Sequence, residues 1–410
     1  MSVLSGKKII LGVTGGIAAY KTANLVRLFI KAGAQVQVIM TPASVDFVTP
    51  LTLSTLSKNP VYINFFNDEL STTSTETSKT ALWNNHVEMG LWADFMVIAP
   101  ATANTMSKMV NGNCDNLLLA TYLSAKCPVY FAPAMDLDMY KHPSTLNSFE
   151  ALKKFGNIMI PAESGELASG LSGEGRMAEP ENILSFIEKD ITSKLPLKNK
   201  KILITAGPTY EAIDPVRFIG NHSTGKMGYD IADAAANLGA EVILVSGPSH
   251  LKPKNPLVNV VRVTSAAQMH EACHNYFNNV DVAIAAAAVA DYKPKNVASQ
   301  KIKKNDSAFT IELEKTTDIL ASLGEVKKNQ FLIGFALETE NEIEHAKQKI
   351  QKKNLDLIVL NSLNDEGAGF GKPTNKVTFI SKNFTIEPQP LKSKEEVAKD
   401  IINKIVEHYA

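Results

Sequence analysis

A short apolar, β-branched run that ends in a glycine turn and opens directly into a helical pattern occurs twice in this chain. No other feature limits the fold so strongly. The first occurrence is Lys7-Lys8-Ile9-Ile10-Leu11-Gly12-Val13, followed by Thr14-Gly15-Gly16 and by Ile17 to Ala32, whose apolar residues recur at helical spacing until Gly33. Val36 to Met40 reads as the next strand, which completes a βαβ unit. The second occurrence, Lys201-Ile202-Leu203-Ile204-Thr205-Ala206-Gly207, restarts the same pattern. Strands that alternate with helices imply a parallel sheet whose ligands sit beyond the carboxyl ends of the strands. The expected fold class is α/β, with two Rossmann-like parallel-sheet domains in one chain.

Further segments support this division. Phe95 to Ala99 (FMVIA) and Val129 to Ala132 (VYFA) read as buried strands of the first half, each ending in a Pro-containing polar turn. The second half offers a helix over 225–238, strands at Glu241 to Val245, Phe331 to Phe335, Leu357 to Leu360 and Lys376 to Ile380, the apolar run Val282 to Val289, and a helix over Glu342 to Lys353. A length of 410 residues exceeds one ordinary core and suits two or three domains. Glu188 to Lys200 is charged and contains proline, so the expected boundaries are 1–190, a linker over 191–200, and 201–410. The Ser/Thr tract 71–78 and the basic stretch Lys293 to Lys304 read as surface loops or lids.

Lys plus Arg and Asp plus Glu balance at 42 each, which provides no net field to draw in nucleic acid or an anionic membrane. Cys114, Cys127 and Cys273 lack metal-ligand spacing and fit a reduced compartment. The amino terminus has no cationic and apolar leader, and no run approaches about 18 uninterrupted apolar residues. The expectation is a cytoplasmic protein without nucleic-acid or membrane partners.

In the first half, Gly15 and Gly16 of GGIAAYK let backbone N–H groups at a helix start approach an anion. The segment lacks the spacing of a dinucleotide fingerprint and the lysine of a P-loop, so a plain tight turn accounts for it nearly as well. The turns Thr41-Pro42-Ala43-Ser44 and Ala99-Pro100-Ala101-Thr102-Ala103-Asn104-Thr105 bring hydroxyls and an amide to the same sheet edge. His86 in Asn84-Asn85-His86-Val87-Glu88-Met89-Gly90 reads either as a capping or surface residue or as a base titrating near neutral pH. Asp136, in Pro133-Ala134-Met135-Asp136-Leu137-Asp138-Met139-Tyr140, reads as a helix cap or as a carboxylate over a ligand.

Taken as a set, GGIAAYK, NHVEMG, APATANT, CDNLL at 114–118, PAMDLDMY and SGEGRM at 172–177 make the first half resemble the flavin-dependent cysteine decarboxylase family. The whole chain resembles the bacterial bifunctional phosphopantothenoylcysteine decarboxylase/phosphopantothenate–cysteine ligase family of coenzyme A biosynthesis. That resemblance implies a flavodoxin-like first domain that binds FMN. Its phosphate lies near Gly15, Gly16 and Thr41, and Thr102, Asn104, Cys114, Asp115 and Asn116 line the site. His86 is the implied catalytic histidine and Met135 an implied substrate contact. The implied reaction oxidises the substrate's CH2–SH to a thioaldehyde, from which the carboxylate leaves as carbon dioxide, and then reduces the enethiol. Two positions depart from the family pattern. Asp136 stands where several relatives carry an Asn that binds the substrate carboxylate, and Ser169 stands where many carry a proton-donating Cys.

For the second half the same resemblance implies a nucleotide-binding ligase domain. There 4′-phosphopantothenate attacks the α-phosphorus of CTP, pyrophosphate leaves, and the amine of cysteine attacks the acyl-cytidylate. Asn221 in Gly220-Asn221-His222-Ser223-Thr224-Gly225-Lys226 matches the family's Asn that stabilises the acyl-nucleotide carbonyl. Gly207 supplies anion-facing backbone, Arg217 a substrate contact, and Lys301 a contact to the triphosphate. Ala287 and Asp291 lie against the nucleotide, and Phe335 and Lys353 flank its base. Mg2+ is expected with the triphosphate, on unknown protein ligands and mainly on phosphate oxygens. A homo-oligomer with FMN near subunit contacts is also implied. Two other readings stay open. One is a nicotinamide oxidoreductase, against which the missing G-x-G-x-x-G stands. The other is a ligase whose flavin-binding first domain is impaired or non-catalytic, which Asp136 and Ser169 keep in play.

Overall fold

The computed structural model describes residues 2–67, 82–303, 309–338, 340–362 and 372–410. The Ser/Thr tract 71–78, Lys304 and Thr339 lie outside the described residues. The chain divides into two compact units, Met1–Ile191 and Thr192–Ala410.

In the first unit the strands are β1 (Lys8–Val13), β2 (Gln35–Met40), β3 (Val61–Tyr62), β4 (Phe66–Asn67), β5 (Leu82–Trp83), β6 (Phe95–Ala101), β7 (Val129–Pro133), β8 (Ile158–Met159), β9 (Glu163–Glu166) and β10 (Ser172–Arg176). The helices are α1 (Thr22–Lys31), α2 (Pro50–Ser57), α3 (His86–Trp92), α4 (Ala103–Asn111), α5 (Leu117–Ser124), α6 (Leu137–Lys141), α7 (Pro143–Lys154) and α8 (Pro180–Ser193). The main sheet runs β3-β2-β1-β6-β7-β8, all parallel. Chain order reverses between β1 and β6, the position at which a doubly wound sheet opens a crevice at its strand ends.

Burial on both faces explains why these strands are continuous apolar runs rather than alternating ones. Ile9, Leu11 and Val13 of β1 belong to one core and Ile10 to the opposite one. Gly12 lies under α5, where a Cβ would come 2.5 Å from the Leu118 side chain. In α1 the residues Leu25, Val26 and Phe29 are buried on one face, and Gly33, at φ +88°, ends the segment.

The second unit contains β11 (Lys201–Ala206), β12 (Tyr210–Ala212), β13 (Phe218–Gly220), β14 (Glu241–Ser246), β15 (Val258–Arg262), β16 (Val282–Ala285), β17 (Tyr292–Pro294), β18 (Leu313–Lys315), β19 (Phe331–Glu338), β20 (Leu357–Ser362), β21 (Thr374–Asn375), β22 (Val377–Ser381), β23 (Ile386–Pro388) and β24 (Lys392–Ser393). Its helices are α9 (Lys226–Asn237), α10 (Ala266–Phe277), α11 (Ile319–Val326), α12 (Glu342–Lys352) and α13 (Lys394–Tyr409). The sheet order β15-β14-β11-β16-β19-β20-β22-β23 repeats the reversal, now between β11 and β16, and closes with two antiparallel strands. Leu357 and Val359 of β20 enter the core under α9 and α13, whereas Ile358 and Leu360 enter the one under α10 to α12.

Two sequence expectations need correction. Glu188 to Ser193 is helical rather than linker, because Ile183, Ile187 and Ile191, at four-residue spacing, keep one face of α8 on the sheet. The apolar run 282–289 is a strand only as far as Ala285. Beyond it the chain leaves the ladder, bridges Pro208 through Ala288, and forms an irregular wall at the strand ends.

Candidate functional sites

In the first unit a cavity of about 900 Å³ opens at the carboxyl ends of β1, β2, β6 and β7. The turns that follow these strands are tied together. Thr14 donates its hydroxyl to the Pro100 carbonyl at 2.6 Å and accepts from the Thr102 amide at 3.4 Å. Gly15 is required by close approach, since a Cβ there would lie 2.8 Å from that of Ala43. Gly15, Gly16, Thr41, Thr102 and Asn104 all line the cavity. Thr102 caps α4 by accepting from the Thr105 amide, and Asn116 caps α5 by accepting from the Leu119 amide.

The buried Thr41 hydroxyl has no hydrogen-bond partner among the described residues. An orphaned hydroxyl beside two cavity-lining glycines suits a phosphate oxygen, so the residues present fit a flavin mononucleotide. Asp115 and Asn116 also reach the cavity; the Lys108 ammonium, 2.5 Å from Asp115, holds that carboxyl below its usual range. Cys114 does not line the cavity and is exposed, because the polypeptide turns toward the cavity only at the next residue.

Met135 and Asp136 line the opposite wall. Asp136 caps the short helix α6, one carboxylate oxygen accepting from the Leu137 amide at 2.6 Å. The β9–β10 hairpin packs here through the Met135 amide, which donates to the Gly175 carbonyl at 3.0 Å. Ser169 sits at the exposed tip of that hairpin, outside the cavity lining, whereas its neighbour Ala168 is part of it. Sequence spacing did not single out Tyr20, Lys21, Glu166 or Arg176, which also line the cavity.

His86 does not line this cavity. It begins α3, but the cap is Asn85, whose side chain accepts from the Val87 and Glu88 amides. Its ring meets Phe65 and Trp83 edge-on at 6.2 and 5.9 Å, and its Nδ1 is buried without a partner among the described residues. Around it Phe66, Trp83, Val87 and Leu91 are exposed.

A second cavity, of about 660 Å³, opens at the strand ends of the second unit. Three threonines hold its wall over 286–291. Thr205 and Thr209 accept from the Ala287 and Ala290 amides at 3.1 and 2.9 Å, and Thr316 donates to the Ala290 carbonyl at 2.6 Å. Ala287, Asp291, Phe335 and Lys353 line the cavity. Lys353 pairs with Asp318 at 2.8 Å; burial opposes ionisation of Asp318, yet this bond and the Ala321 amide hold its carboxyl below the usual range. Asn221 also lines the cavity, but its amide nitrogen already donates to the carbonyls of Ala288 and Val289 at 3.1 and 3.0 Å. A role as donor to a ligand requires those bonds to be exchanged.

Three assigned residues lie elsewhere. Gly207, at φ +79°, stands behind the lining, where a Cβ on it would lie 3.2 Å from the Gly247 carbonyl oxygen; α9 starts against it through Gly225, whose own Cβ would lie 3.1 Å from the Gly207 nitrogen. Lys301 is exposed and outside the lining. Arg217 is also outside it, its Nε and Nη2 donating to Asp214 at 3.0 and 2.6 Å and Nη2 to the Ile302 carbonyl at 2.7 Å. Lys226, Asn361, Asn375 and Lys394, by contrast, were not apparent from the sequence and line the cavity beside the start of α9. Asp230 pairs with Lys226 at 2.8 Å, and burial raises its carboxyl above the usual range. Burial and the neighbouring Lys226 lower the Lys394 ammonium. No group of three or more His, Cys, Asp or Glu side chains suited to a metal ion occurs among the described residues. No helix among them is long and apolar enough to cross a membrane.

Comparison with known proteins agrees with this division. Residues 2–192 match the family described as Flavoprotein, and residues 197–409 match the DNA/pantothenate metabolism flavoprotein C-terminal domain. The chain is 53% identical to a cysteine/cysteine sulfinic acid decarboxylase of an unknown prokaryotic organism, over 88% of this chain and 99% of that one. It is 44% identical to the coenzyme A biosynthesis bifunctional protein CoaBC of Bacillus subtilis (strain 168), over 98% of this chain and 97% of that one. A crystal structure of the C-terminal domain of a CoaBC protein is 48% identical, with a TM-score of 0.45, over 52% of this chain and 98% of that one. With both units matched in order and nearly the full length aligned, the chain belongs to the coenzyme A biosynthesis bifunctional CoaBC family.

Proposed function

We propose that the two units catalyse consecutive steps: CTP-dependent ligation of cysteine to 4′-phosphopantothenate in the second, and decarboxylation of the product to 4′-phosphopantetheine in the first. The observation that carries this reading is the pair of separate strand-end cavities, each at the reversal point of its own sheet, in a chain that matches CoaBC proteins over nearly its whole length. In the second unit the carboxylate of 4′-phosphopantothenate displaces pyrophosphate from CTP, and the cysteine amine then displaces CMP. Asn221 takes the acyl carbonyl once its bonds to 288 and 289 are exchanged, and Lys226, Lys353 and Lys394 supply positive charge around the phosphates. Mg2+ accompanies the triphosphate on its own oxygens.

In the first unit, Gly15, Gly16 and Thr41 would hold the FMN phosphate and Thr102, Asn104 and Asn116 its ring system. Bound flavin supplies the two-electron oxidation and the return reduction that make loss of carbon dioxide possible. His86 serves this cavity from a second copy of the chain, which covers Phe66, Trp83, Val87 and Leu91 in a homo-oligomer. The test uses the full-length protein. With CTP, cysteine and 4′-phosphopantothenate it releases pyrophosphate and then carbon dioxide; omission of 4′-phosphopantothenate abolishes the pyrophosphate release, and pyrophosphate release without it would overturn the assignment.

A second substrate for the first unit is favoured by its charges. Among the described residues, every cation lining the cavity is already within ion-pair distance of Asp115 or Glu179: Lys108 at 2.5 Å, Lys21 at 2.9 Å and Arg176 at 2.5 Å. That arrangement suits a substrate without a phosphate of its own, and free cysteine, as in the 53% identical relative, is such a substrate.

A further inference from the structure

The carboxylates of the first cavity are not all matched in this way. Asp136 and Glu166 both line it, and neither has a cationic partner among the described residues. Asp136 spends one oxygen on the Leu137 amide and has no other side-chain partner there, which leaves its second oxygen for whatever occupies the cavity. Asp136 lies three residues beyond Pro133, the end of β7, at the start of α6, and the β9–β10 hairpin that holds Glu166 is tied to the preceding residue through Met135 and Gly175. An ionised carboxylate at this place repels a second carboxylate and attracts a cation.

We infer that Asp136 is a specificity-determining residue that binds the α-ammonium group of a free β-thiol amino acid, with Glu166 adding to the negative potential. This rests on the reading that the first unit also accepts free cysteine. N-acylation removes the charge that Asp136 recognises, so the residue discriminates between amino acids and their N-acyl derivatives. The reaction stays redox-neutral: cysteine and one proton give cysteamine and carbon dioxide, the Cα–carboxyl bond breaking and a Cα–H bond forming. Asp136 takes no part in that bond change and acts on substrate orientation and affinity alone.

The test compares flavin-loaded, full-length wild type with Asp136→Asn, using L-cysteine and N-acetyl-L-cysteine as probes and carbon dioxide release as the readout. Asn caps a helix as well as Asp does, so α6 keeps its start. The expected result is a rise in KM for cysteine of about 30-fold with kcat little changed, and a lower KM for N-acetyl-L-cysteine. Wild type that turns over cysteine, with a variant whose two KM values move together or not at all, overturns the role of Asp136 and leaves cysteine as a substrate. Wild type that releases no carbon dioxide from cysteine while decarboxylating 4′-phosphopantothenoylcysteine overturns the free-cysteine reading itself. Asp136→Ser is a second variant that retains a capping oxygen; it should reproduce the loss for cysteine.

Discussion

Lys353, the residue that follows α12 as its C-cap, donates to Asp318, the cap of α11, across 2.8 Å at the rim of the second cavity. Lys353→Met should raise the KM for CTP about tenfold, through lost charge and lost positioning of α11. Pyrophosphate release at varied CTP measures it, and an unchanged KM would remove Lys353 from the nucleotide site. Because the folded-state pKa of Asp318 is depressed, its contribution to stability is present above the unfolded value and lost as pH falls through the folded one. Asp318→Asn should therefore flatten the acid limb of the stability profile below the ordinary carboxylate range.

Asp230 has the opposite sign. Its folded pKa is raised by burial in spite of Lys226, so its ionisation opposes folding above that pKa, and the penalty disappears on acidification. Asp230→Asn should leave thermal stability equal or higher at pH 8 and give no advantage at pH 4. Scanning calorimetry at the two pH values decides it; marked destabilisation at pH 8 would mean that the ion pair with Lys226 outweighs the burial cost.

The unpartnered hydroxyl of Thr41 gives a prediction with two readouts. Thr41→Val keeps the shape and removes an unsatisfied buried hydroxyl, so the flavin-free protein should be no less stable, while affinity for FMN falls about tenfold. Flavin fluorescence titration of stripped protein tests the second part, and unchanged affinity would place the phosphate elsewhere.

His86→Asn should abolish carbon dioxide release while the flavin stays bound. Gly15→Val should lose the flavin, since a side chain there meets Ala43. If His86 acts on the cavity of another copy, co-refolding the two inactive variants restores part of the activity. No recovery at any ratio would confine His86 to its own subunit.

Gly247 has a backbone reason to be glycine, because a Cβ would strike the Pro208 carbonyl oxygen, which no side-chain motion relieves. Gly247→Ala should destabilise the second unit by about 3 kcal/mol. Thermal unfolding followed by near-UV circular dichroism reports it.

Much of this arrangement is legible in the sequence where a single short-range signal decides the structure. β1, β6, β7 and β11 are β-branched or apolar runs closed by Gly or Pro turns, and those turns line or border the cavities. α13 was not among the expected helices, although a short-range signal marks it: Ser393 and Glu396 form a capping box, and Val397, Ile401, Ile402 and Ile405 follow at helical spacing. Lys394 and Asn361 carry no such mark. One begins α13 and the other is the penultimate residue of β20, and only the packing of α13 beside α9 and the sheet brings them to a common cavity with Lys226. His86 shows the converse: its motif identifies it, but within one chain it stays outside the cavity lining.

The continuation of α8 to Ser193 bears on how the gene can be cut. Asp190 on that helix accepts the Tyr130 hydroxyl at 2.8 Å, so a stop codon placed before it strips the upstream product of a partner in its own sheet. On the other side, Leu195 packs on Gly239 and Leu197 is wholly buried, so a start codon placed after them leaves the downstream product with a hole. Separate expression of the halves therefore has a narrow splice window, confined to the residues between Asp190 and Leu195.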